Sequence, residues 1–192
     1  MGLSKGEVID LSKLSNAISN AVEKAEEMAG FRISNINCNI SGGLPFTKVT
    51  SDSLQISNNQ IKKEDVLNLL NLDKHKSKYK DYVQLRRKPK AFKIEDNKEV
   101  ENPVGLKSKT LTLEAINTYV NENVIANLNK SIELCHLTVN QFYITPEING
   151  ISTMIKEERD LGAIIIDIGA SLTSIGIYLK DNLIYSNVIK IG

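Results

Sequence analysis

The feature that most constrains the fold is a C-terminal segment in which three apolar runs are separated by short turns. The first run, residues 163–166, leads directly into Asp167-Ile168-Gly169. The next two runs, 172–178 and 183–189, are joined across the polar turn Lys180-Asp181-Asn182. Short apolar runs bounded by turn residues predict strands joined as a β-hairpin meander. The sequence therefore predicts an antiparallel sheet whose first turn carries a carboxylate and a glycine.

Length and charge limit the classes of protein to consider. A chain of 192 residues can form one large domain or two small ones with a substantial core. Its net charge of +1 provides no overall electrostatic attraction to nucleic acid or to an acidic membrane. No apolar run is long enough to span a bilayer, and residues 1–6 lack the apolar core of a secretion signal. We expect a soluble, intracellular protein that does not insert into the membrane and does not bind nucleic acid.

The cysteines and histidines do not predict a metal site or a nucleophilic enzyme. Cys38 and Cys135 are far apart and lack the spacing of metal ligands, so free thiols are expected. His75 and His136 have no clustered partner ligands. No Ser/His/Asp or Cys/His arrangement is evident, and we expect neither a metal site nor such catalysis.

The chain alternates helical and extended patterns, which indicates an α/β protein. The predicted elements are, in order, a helix between Asp10 and Gly30, strands at 32–40 and 47–56, a helix at 64–72, strands at 82–85 and 110–120, a helix after Asn121, a strand at 137–144 and a helix from Pro146. The block between Ser41 and Thr145 is predicted to form a small subdomain of its own.

A basic run at 74–93 lies inside this block and contains nine Lys or Arg residues. It could form a surface that binds anionic ligands such as nucleic acid or lipid, or it could simply be a solvated face. The near-neutral net charge of the whole chain favours the solvated face. Burying Arg86 and Arg87 without partners would cost several kcal/mol each. A strand there is therefore predicted to be exposed, shifted or poorly formed.

Several motifs resemble one family in both order and spacing. They are Gly6-Glu7-Val8-Ile9-Asp10, Ile40-Ser41-Gly42, Glu101-Asn102-Pro103-Val104-Gly105-Leu106, and Glu157-Glu158-Arg159-Asp160-Leu161-Gly162 followed by Ile166-Asp167-Ile168-Gly169. Together they resemble the FtsA family of actin-like bacterial cell-division proteins. The resemblance extends over residues 6–192, but it covers only part of the family protein.

The resemblance implies an α/β fold made of part of an actin-like (ribonuclease H-like) subdomain with an insertion. Residues 1–40 would be the first part of subdomain 1A. Residues 41–145 would be the inserted subdomain 1C, of the strand–helix–strand–strand (SHS2) type. Residues 146–192 would return to subdomain 1A with the hairpin of the second phosphate loop.

The resemblance also implies a role in cell division. The family protein links FtsZ polymers to the inner membrane, self-associates through the inserted subdomain and recruits later division proteins such as FtsN. It acts at the cytoplasmic face of the membrane, at the septum. The FtsZ and membrane contacts belong to regions outside this chain, so the chain is expected to make protein–protein contacts only. The alternatives are an actin-like ATP-binding protein whose other lobes complete the site, or a remnant of a decaying gene.

The family binds ATP with Mg²⁺, and the resemblance assigns phosphate contacts to the loop after residue 166. The implied site residues are Asp167, Gly169, Ala170, Ser171 and Thr173. The family usually has Gly, Gly, Thr and Asp where this chain has Ala170, Ser171, Leu172 and Ser174. Cβ atoms hinder the approach of backbone N–H groups to phosphate oxygens. We therefore expect weak ATP binding and no catalysis by this chain.

Overall fold

The computed structural model describes residues 2–72 and 79–192 as an α/β protein. Its helices are α1 (Leu11–Ala29), α2 (Lys63–Asn71), α3 (Glu122–Glu133), α4 (Thr145–Thr153) and α5 (Lys156–Leu161). Its strands are β1 (Leu3–Ser4), β2 (Glu7–Val8), β3 (Asn35–Ile40), β4 (Phe46–Gln55), β5 (Tyr82–Lys93), β6 (Glu99–Val100), β7 (Thr110–Asn121), β8 (Thr138–Ile144), β9 (Ala163–Ile168), β10 (Thr173–Leu179) and β11 (Asn182–Ile189).

Helix α1 begins and ends where the sequence predicts. The Asp10 side chain accepts a hydrogen bond from the backbone N–H of Lys13 at 2.9 Å, which caps the first turn. Gly30 follows the helix with a φ of 75°, the left-handed conformation that glycine adopts at a helix end. Within the described residues, no helix combines the length and apolarity needed to cross a membrane.

Strands β3 and β8 form a parallel pair that brings together distant parts of the chain. Ile40 lies opposite Ile144 in this pair, and both side chains are fully buried. Because parallel strands end at the same edge, Ser41 and Thr145 become neighbours there. The pair thus places the start of the middle block next to the start of α4.

The middle of the chain forms a four-stranded antiparallel sheet with the strand order β4-β7-β5-β6. One face is covered by α2, and its core contains side chains with no solvent exposure on both β7 and α2. These include Leu111, Leu113 and Leu69. The middle sheet therefore has a core of its own, formed entirely from residues between β4 and β7.

The prediction of an exposed or poorly formed strand at Arg86 and Arg87 is wrong, whereas the predicted shift is present. Strand β5 includes both arginines, and only 3% of the Arg87 side chain is exposed. Its pairing with β7 shifts in register between Gln84 and Arg86 and again between Pro89 and Ala91. Arg87 pairs with Asp52 at 2.5 Å. Arg86 pairs with Glu147 on α4 and also donates to the carbonyl of Phe142 at 3.0 Å. The expected cost of burial applied to unpaired cations, whereas both arginines are paired with carboxylates from distant parts of the chain.

The basic run is only partly visible, because residues 74–78 lie outside the described residues. Lys90 and Lys93 both contact the Glu114 carboxylate, at 2.7 and 2.5 Å. The hydrogen bond from Lys90, followed by that from Lys93, lowers the pKa of Glu114 to about 2. Part of the run's positive charge is therefore balanced within the middle sheet.

The C-terminal strands form the predicted meander, with the order β11-β10-β9 and antiparallel pairing throughout. One face packs against α4, where the Tyr178 hydroxyl donates to the carbonyl of Glu147 at 3.1 Å. The other face carries a row of isoleucines on β9. Ile164, Ile166 and Ile168 are 65, 57 and 73% exposed. The C-terminal sheet is thus covered on one side only within the described residues.

Candidate functional site

Five segments of the chain converge on a cavity of about 310 Å³ beside the β9–β10 loop. Lys5 and Gly6 come from the turn between β1 and β2, Ser41 follows β3, and Thr145 begins α4. The β9–β10 loop with the adjoining strand ends, and Val188 of β11, form the remaining wall. We call this cavity the loop cavity.

Asp167 lines the loop cavity from the end of β9. Its carboxylate accepts a hydrogen bond from the Asn149 side-chain amide at 2.9 Å. Asn149 lies on α4, so this helix orients the carboxylate. Asp167 stands opposite Ser174 in the β9–β10 pair, which brings a hydroxyl to the same edge of the sheet.

The loop after Asp167 makes a tight turn. The backbone N–H of Gly169 donates to the carbonyl of Leu172 at 2.9 Å. A Cβ atom at Gly169 would lie 3.2 Å from that carbonyl oxygen, which is closer than side chains usually approach. Ala170 and Ser171 also line the cavity and are solvent-exposed. The turn therefore presents Gly169, Ala170 and Ser171 together with Asp167.

Thr173 is placed differently from the other predicted site residues. Its hydroxyl donates to the carbonyl of Ile191 at 2.7 Å, and it does not line the loop cavity. Ser174 lines it instead. The Ser174 side chain is only 6% exposed, and its hydroxyl has no hydrogen-bond partner. A buried hydroxyl without a partner marks the point on this wall where a polar ligand atom could bind.

Sequence reasoning missed Lys5, Ser41 and Thr145. The hydroxyl groups of Ser41 and Thr145 lie 2.9 Å apart, although the residues are 104 positions apart in sequence. The signal that could have found them is the pairing of the strands at 32–40 and 137–144. If those strands are parallel, the residues that follow them share one edge, where α/β proteins commonly bind ligands.

Close packing of two turns, Lys5-Gly6 and Ser41-Gly42, positions Lys5. Lys5 and Gly6 have φ values of 48° and 71°. A Cβ atom at Gly42 would lie 2.1 Å from the carbonyl oxygen of Gly6. Only glycine fits such an approach, so Ser41-Gly42 holds the first turn, and with it Lys5, at the loop cavity.

The chemistry of the cavity suits an anion more than a metal ion. Lys5 supplies one cation, Ser171 and Ser174 supply hydroxyls, and the N-terminus of α4 lies at the same edge. Asp167 is the one carboxylate in the lining. Within residues 2–72 and 79–192, no group of three or more His, Cys, Asp or Glu residues is placed to hold a metal.

The fit to ATP with Mg²⁺ is therefore partial. Lys5 and the two serine hydroxyls fit the phosphate end of a nucleotide, and Asp167 is the residue that could orient a Mg²⁺ ion. The lining residues include no aromatic side chain for a base. The lining of the loop cavity thus offers more contacts to phosphate groups than to a nucleotide base.

Comparison with known proteins defines the class of the fold. The protein-family model "SHS2 domain inserted in FTSA" matches residues 44–118. Among solved structures, the PilM-PilN type IV pilus biogenesis complex aligns with 98% of this chain and 51% of its own matched chain, with a TM-score of 0.61 and 14% identity. The chain has the predicted fold, part of an actin-like α/β subdomain with an inserted SHS2 domain.

Curated relatives are similar to the chain along nearly its whole length. The chain is 24% identical over 191 residues to the cell division protein FtsA of Agrobacterium fabrum, and 27% identical over 188 residues to that of Escherichia coli K12. The predicted resemblance is confirmed: residues 44–118 match the model of the SHS2 domain inserted in FTSA, and the chain is similar to part of FtsA along its length. It spans 43 and 45% of the length of these two relatives.

Proposed function

We propose that this chain is a cell-division protein of the FtsA type, acting through protein–protein contacts of its middle sheet. The observation that carries the proposal is the match of residues 44–118 to the SHS2 domain inserted in FTSA, within a chain similar to FtsA over its length. We assign residues 41–145 to the inserted subdomain, and residues 1–40 and 146–192 to the actin-like part. The separate core of the middle sheet supports this division.

The finer roles are part of the same proposal. We propose self-association through the inserted subdomain and contact with later division proteins such as FtsN. The linkage of FtsZ polymers to the cytoplasmic face of the inner membrane at the septum would require regions of the family protein outside the matched part. The similarity to the cell division proteins FtsA of Agrobacterium fabrum and Escherichia coli supports a role in cell division.

The middle sheet offers a small exposed apolar surface for such contacts. The turn 102–106 displays Val104 and Leu106, which are 42 and 39% exposed. The backbone N–H of Gly105 donates to the carbonyl of Ile61 at 2.8 Å, which fixes this turn to the core beneath it. A rigid turn with two exposed aliphatic side chains is a suitable contact for another protein.

The test is sedimentation velocity of the purified chain, alone and mixed with an FtsA protein. We expect concentration-dependent association that is reduced when Val104 and Leu106 are both replaced by serine. Ile151→Ser is the matched control, because Ile151 is 58% exposed but lies on α4. Equal association by both variants, or none by the unmodified chain, would contradict contact through the middle sheet.

A second candidate function is weak phosphate binding at the loop cavity, favoured by the unpartnered Ser174 hydroxyl opposite Asp167. When bound, Mg-ATP would supply the phosphate groups, with Asp167, Gly169, Ala170 and Ser171 as the proposed binding loop. Thr173, the remaining residue of the predicted site, lies beside the cavity with its hydroxyl bonded to the carbonyl of Ile191. Thermal unfolding with and without Mg-ATP tests this. A ligand at one hundred times its Kd adds about 2.7 kcal/mol to stability. We expect Mg-ATP to raise the melting temperature by less than this amount of stabilisation would, through its phosphate groups, and Ser174→Ala to abolish the rise. No rise in the unmodified chain would exclude phosphate binding at the loop cavity.

A further inference from the structure

A second cavity, of about 230 Å³, separates the middle sheet from the C-terminal sheet. We call it the inter-sheet cleft. One wall is the face of β4, β7 and β5, where Thr47, Thr118 and Arg86 lie in one cross-strand row. Ile116 and Lys88 lie in the next row. The opposite wall is formed by α4, α5, β10 and β11.

The charges in this cleft leave one cation without a partner. Arg86 is paired with Glu147, and Arg159 is paired with Asp181 at 2.7 Å. Lys88 lines the same cleft, and it forms no ion pair with any residue in the described part of the chain. The cleft therefore has an excess of one positive charge, which favours a ligand with a single negative charge.

A buried hydroxyl gives the cleft a second polar contact. Thr47 is 6% exposed and lines the cleft, yet its hydroxyl has no hydrogen-bond partner. Buried polar groups normally have partners, so this donor is available to a ligand. Thr47 and Lys88 lie on the same face, two strands and one cross-strand row apart, a separation of about 12 Å at the usual strand spacing and rise. The long, flexible side chain of Lys88 can reach toward an anion bound beside Thr47.

The rest of the lining favours an apolar ligand body. Ile116, Ile151 and Leu183 contribute aliphatic surface from both walls. A cavity of about 150 Å³ holds benzene, so this cleft has room for one six-membered ring together with a carboxylate. Four of the charged side chains in the lining are paired with each other, so the remaining polar contacts serve one charged group and the three aliphatic side chains serve an apolar body. Such a lining fits an amphipathic monoanion better than a sugar or a nucleotide.

We propose that the inter-sheet cleft binds a small monocarboxylate with an apolar body. The carboxylate accepts hydrogen bonds from the Lys88 ammonium and the Thr47 hydroxyl, and the apolar body packs against Ile116 and Leu183. The Arg86–Glu147 and Arg159–Asp181 pairs hold the two walls in place. This site is separate from the loop cavity and does not depend on the proposed role in cell division.

The experiment titrates the ¹⁵N-labelled full chain with benzoate and follows amide chemical shifts, with benzyl alcohol as the uncharged counterpart. We expect benzoate to shift the amides of Thr47, Thr118 and Lys88, and benzyl alcohol to bind at least about tenfold more weakly. Lys88→Met should weaken benzoate binding by about tenfold or more, because it removes a charge-assisted hydrogen bond. Lys24→Met is the control, since Lys24 lies exposed on α1 and outside the cleft.

Thr47 gives an independent readout. Thr47→Val removes the unpartnered hydroxyl while keeping the shape, so it should raise the melting temperature of the free chain and abolish the benzoate response. Thr47→Ser should preserve that response. Equal binding of benzoate and benzyl alcohol, equal weakening by Lys24→Met and Lys88→Met, or full competition by inorganic phosphate would each overturn the proposal. Absence of any change in amide chemical shifts with benzoate would also overturn the proposal.

Discussion

The middle sheet and the C-terminal sheet are both antiparallel, yet they bury their apolar residues differently. In the middle sheet, Leu111 and Leu113 of the central strand β7 have no solvent exposure. In the C-terminal sheet, Ile164 and Ile166 of the edge strand β9 are 65 and 57% exposed. The strands of the C-terminal sheet are the more apolar of the two in sequence, so composition does not explain why its residues are the more exposed.

The difference comes from what covers each sheet. Helix α2 lies across the middle sheet with Leu69 fully buried, and the chain supplies this helix between two strands of that sheet. Helix α4 covers one face of the C-terminal sheet, and the opposite face has no cover within the described residues. The middle sheet therefore contains the partners of its own core, whereas the C-terminal sheet retains an apolar surface.

The largest expected effect is a truncation within the middle core. Leu113→Ala should lower the free energy of unfolding by about 2–5 kcal/mol, because it leaves a cavity at a fully buried position. Urea unfolding followed by circular dichroism measures this. Ile166→Ala on β9 is the matched comparison and should cost far less. Equal losses in the two variants would break the distinction between the sheets.

A smaller effect is expected where α4 meets the C-terminal sheet. A Cβ atom at Gly150 would lie 2.3 Å from the ring of Tyr178, so Gly150→Ala should cost about 1–3 kcal/mol through overpacking. Thermal unfolding measures the loss. Tyr178→Leu in the same chain should restore part of it by making room.

Ser152→Ala is the control for that helix, because Ser152 is exposed. Alanine favours a helix more than glycine or serine does, so helix propensity alone would raise the melting temperature of both variants. A loss confined to Gly150→Ala therefore reports the contact with Tyr178, and an equal loss in Ser152→Ala would contradict overpacking as its cause.

The Glu114 cluster predicts a pH dependence confined to the middle sheet. The Lys90 and Lys93 hydrogen bonds lower the pKa of Glu114 from its ordinary 4.5 to about 2. A depressed carboxyl pKa stabilises the fold above pH 4.5, and this contribution is lost as the pH falls toward 2. Glu114→Gln should therefore destabilise the chain by about 1 kcal/mol at pH 7 and by less at pH 3. Urea unfolding at both pH values measures the difference, and a pH-independent difference would contradict it.

The smallest effect on stability is expected on the exposed face of β9. Ile166→Thr should change the free energy of unfolding by at most about 0.5 kcal/mol, since exposed positions contribute little. It should still reduce aggregation, because it interrupts a contiguous apolar row. Light scattering against protein concentration measures this, with Asn187→Thr as the control at an exposed polar position on the same sheet. Unchanged scattering would show that the isoleucine face does not self-associate.

The sequence predicted the elements whose determinants are local. Asp10 and Gly30 marked both ends of α1, and the turns of the C-terminal meander were evident from their polar residues. The hairpin of β1 and β2 was missed because strands of two residues carry no periodicity. Arg86 and Arg87 were misjudged because Glu147 and Asp52 approach them only in the folded chain.

The same distinction applies to the loop cavity. Asp167, Gly169, Ala170 and Ser171 lie on one turn, so a local motif could identify them together. Ser41 and Thr145 meet only through the β3–β8 pairing, and Lys5 reaches the site through the contact of Gly6 with Gly42. No local pattern predicts these contacts, because they depend on strand pairing between distant segments.

The β3–β8 pair has a consequence for the order of folding. It closes a loop between residues 104 positions apart, such as Ser41 and Thr145. The first and last long strands of the middle sheet pair directly, with Phe46 opposite Tyr119. Once that sheet has formed, the loop left to close shortens to about 30 residues, which lowers the entropic cost of closure by about 1 kcal/mol. We therefore expect a mutation that slows formation of the middle sheet to delay assembly of the loop cavity, although none of that cavity's lining residues belongs to the sheet.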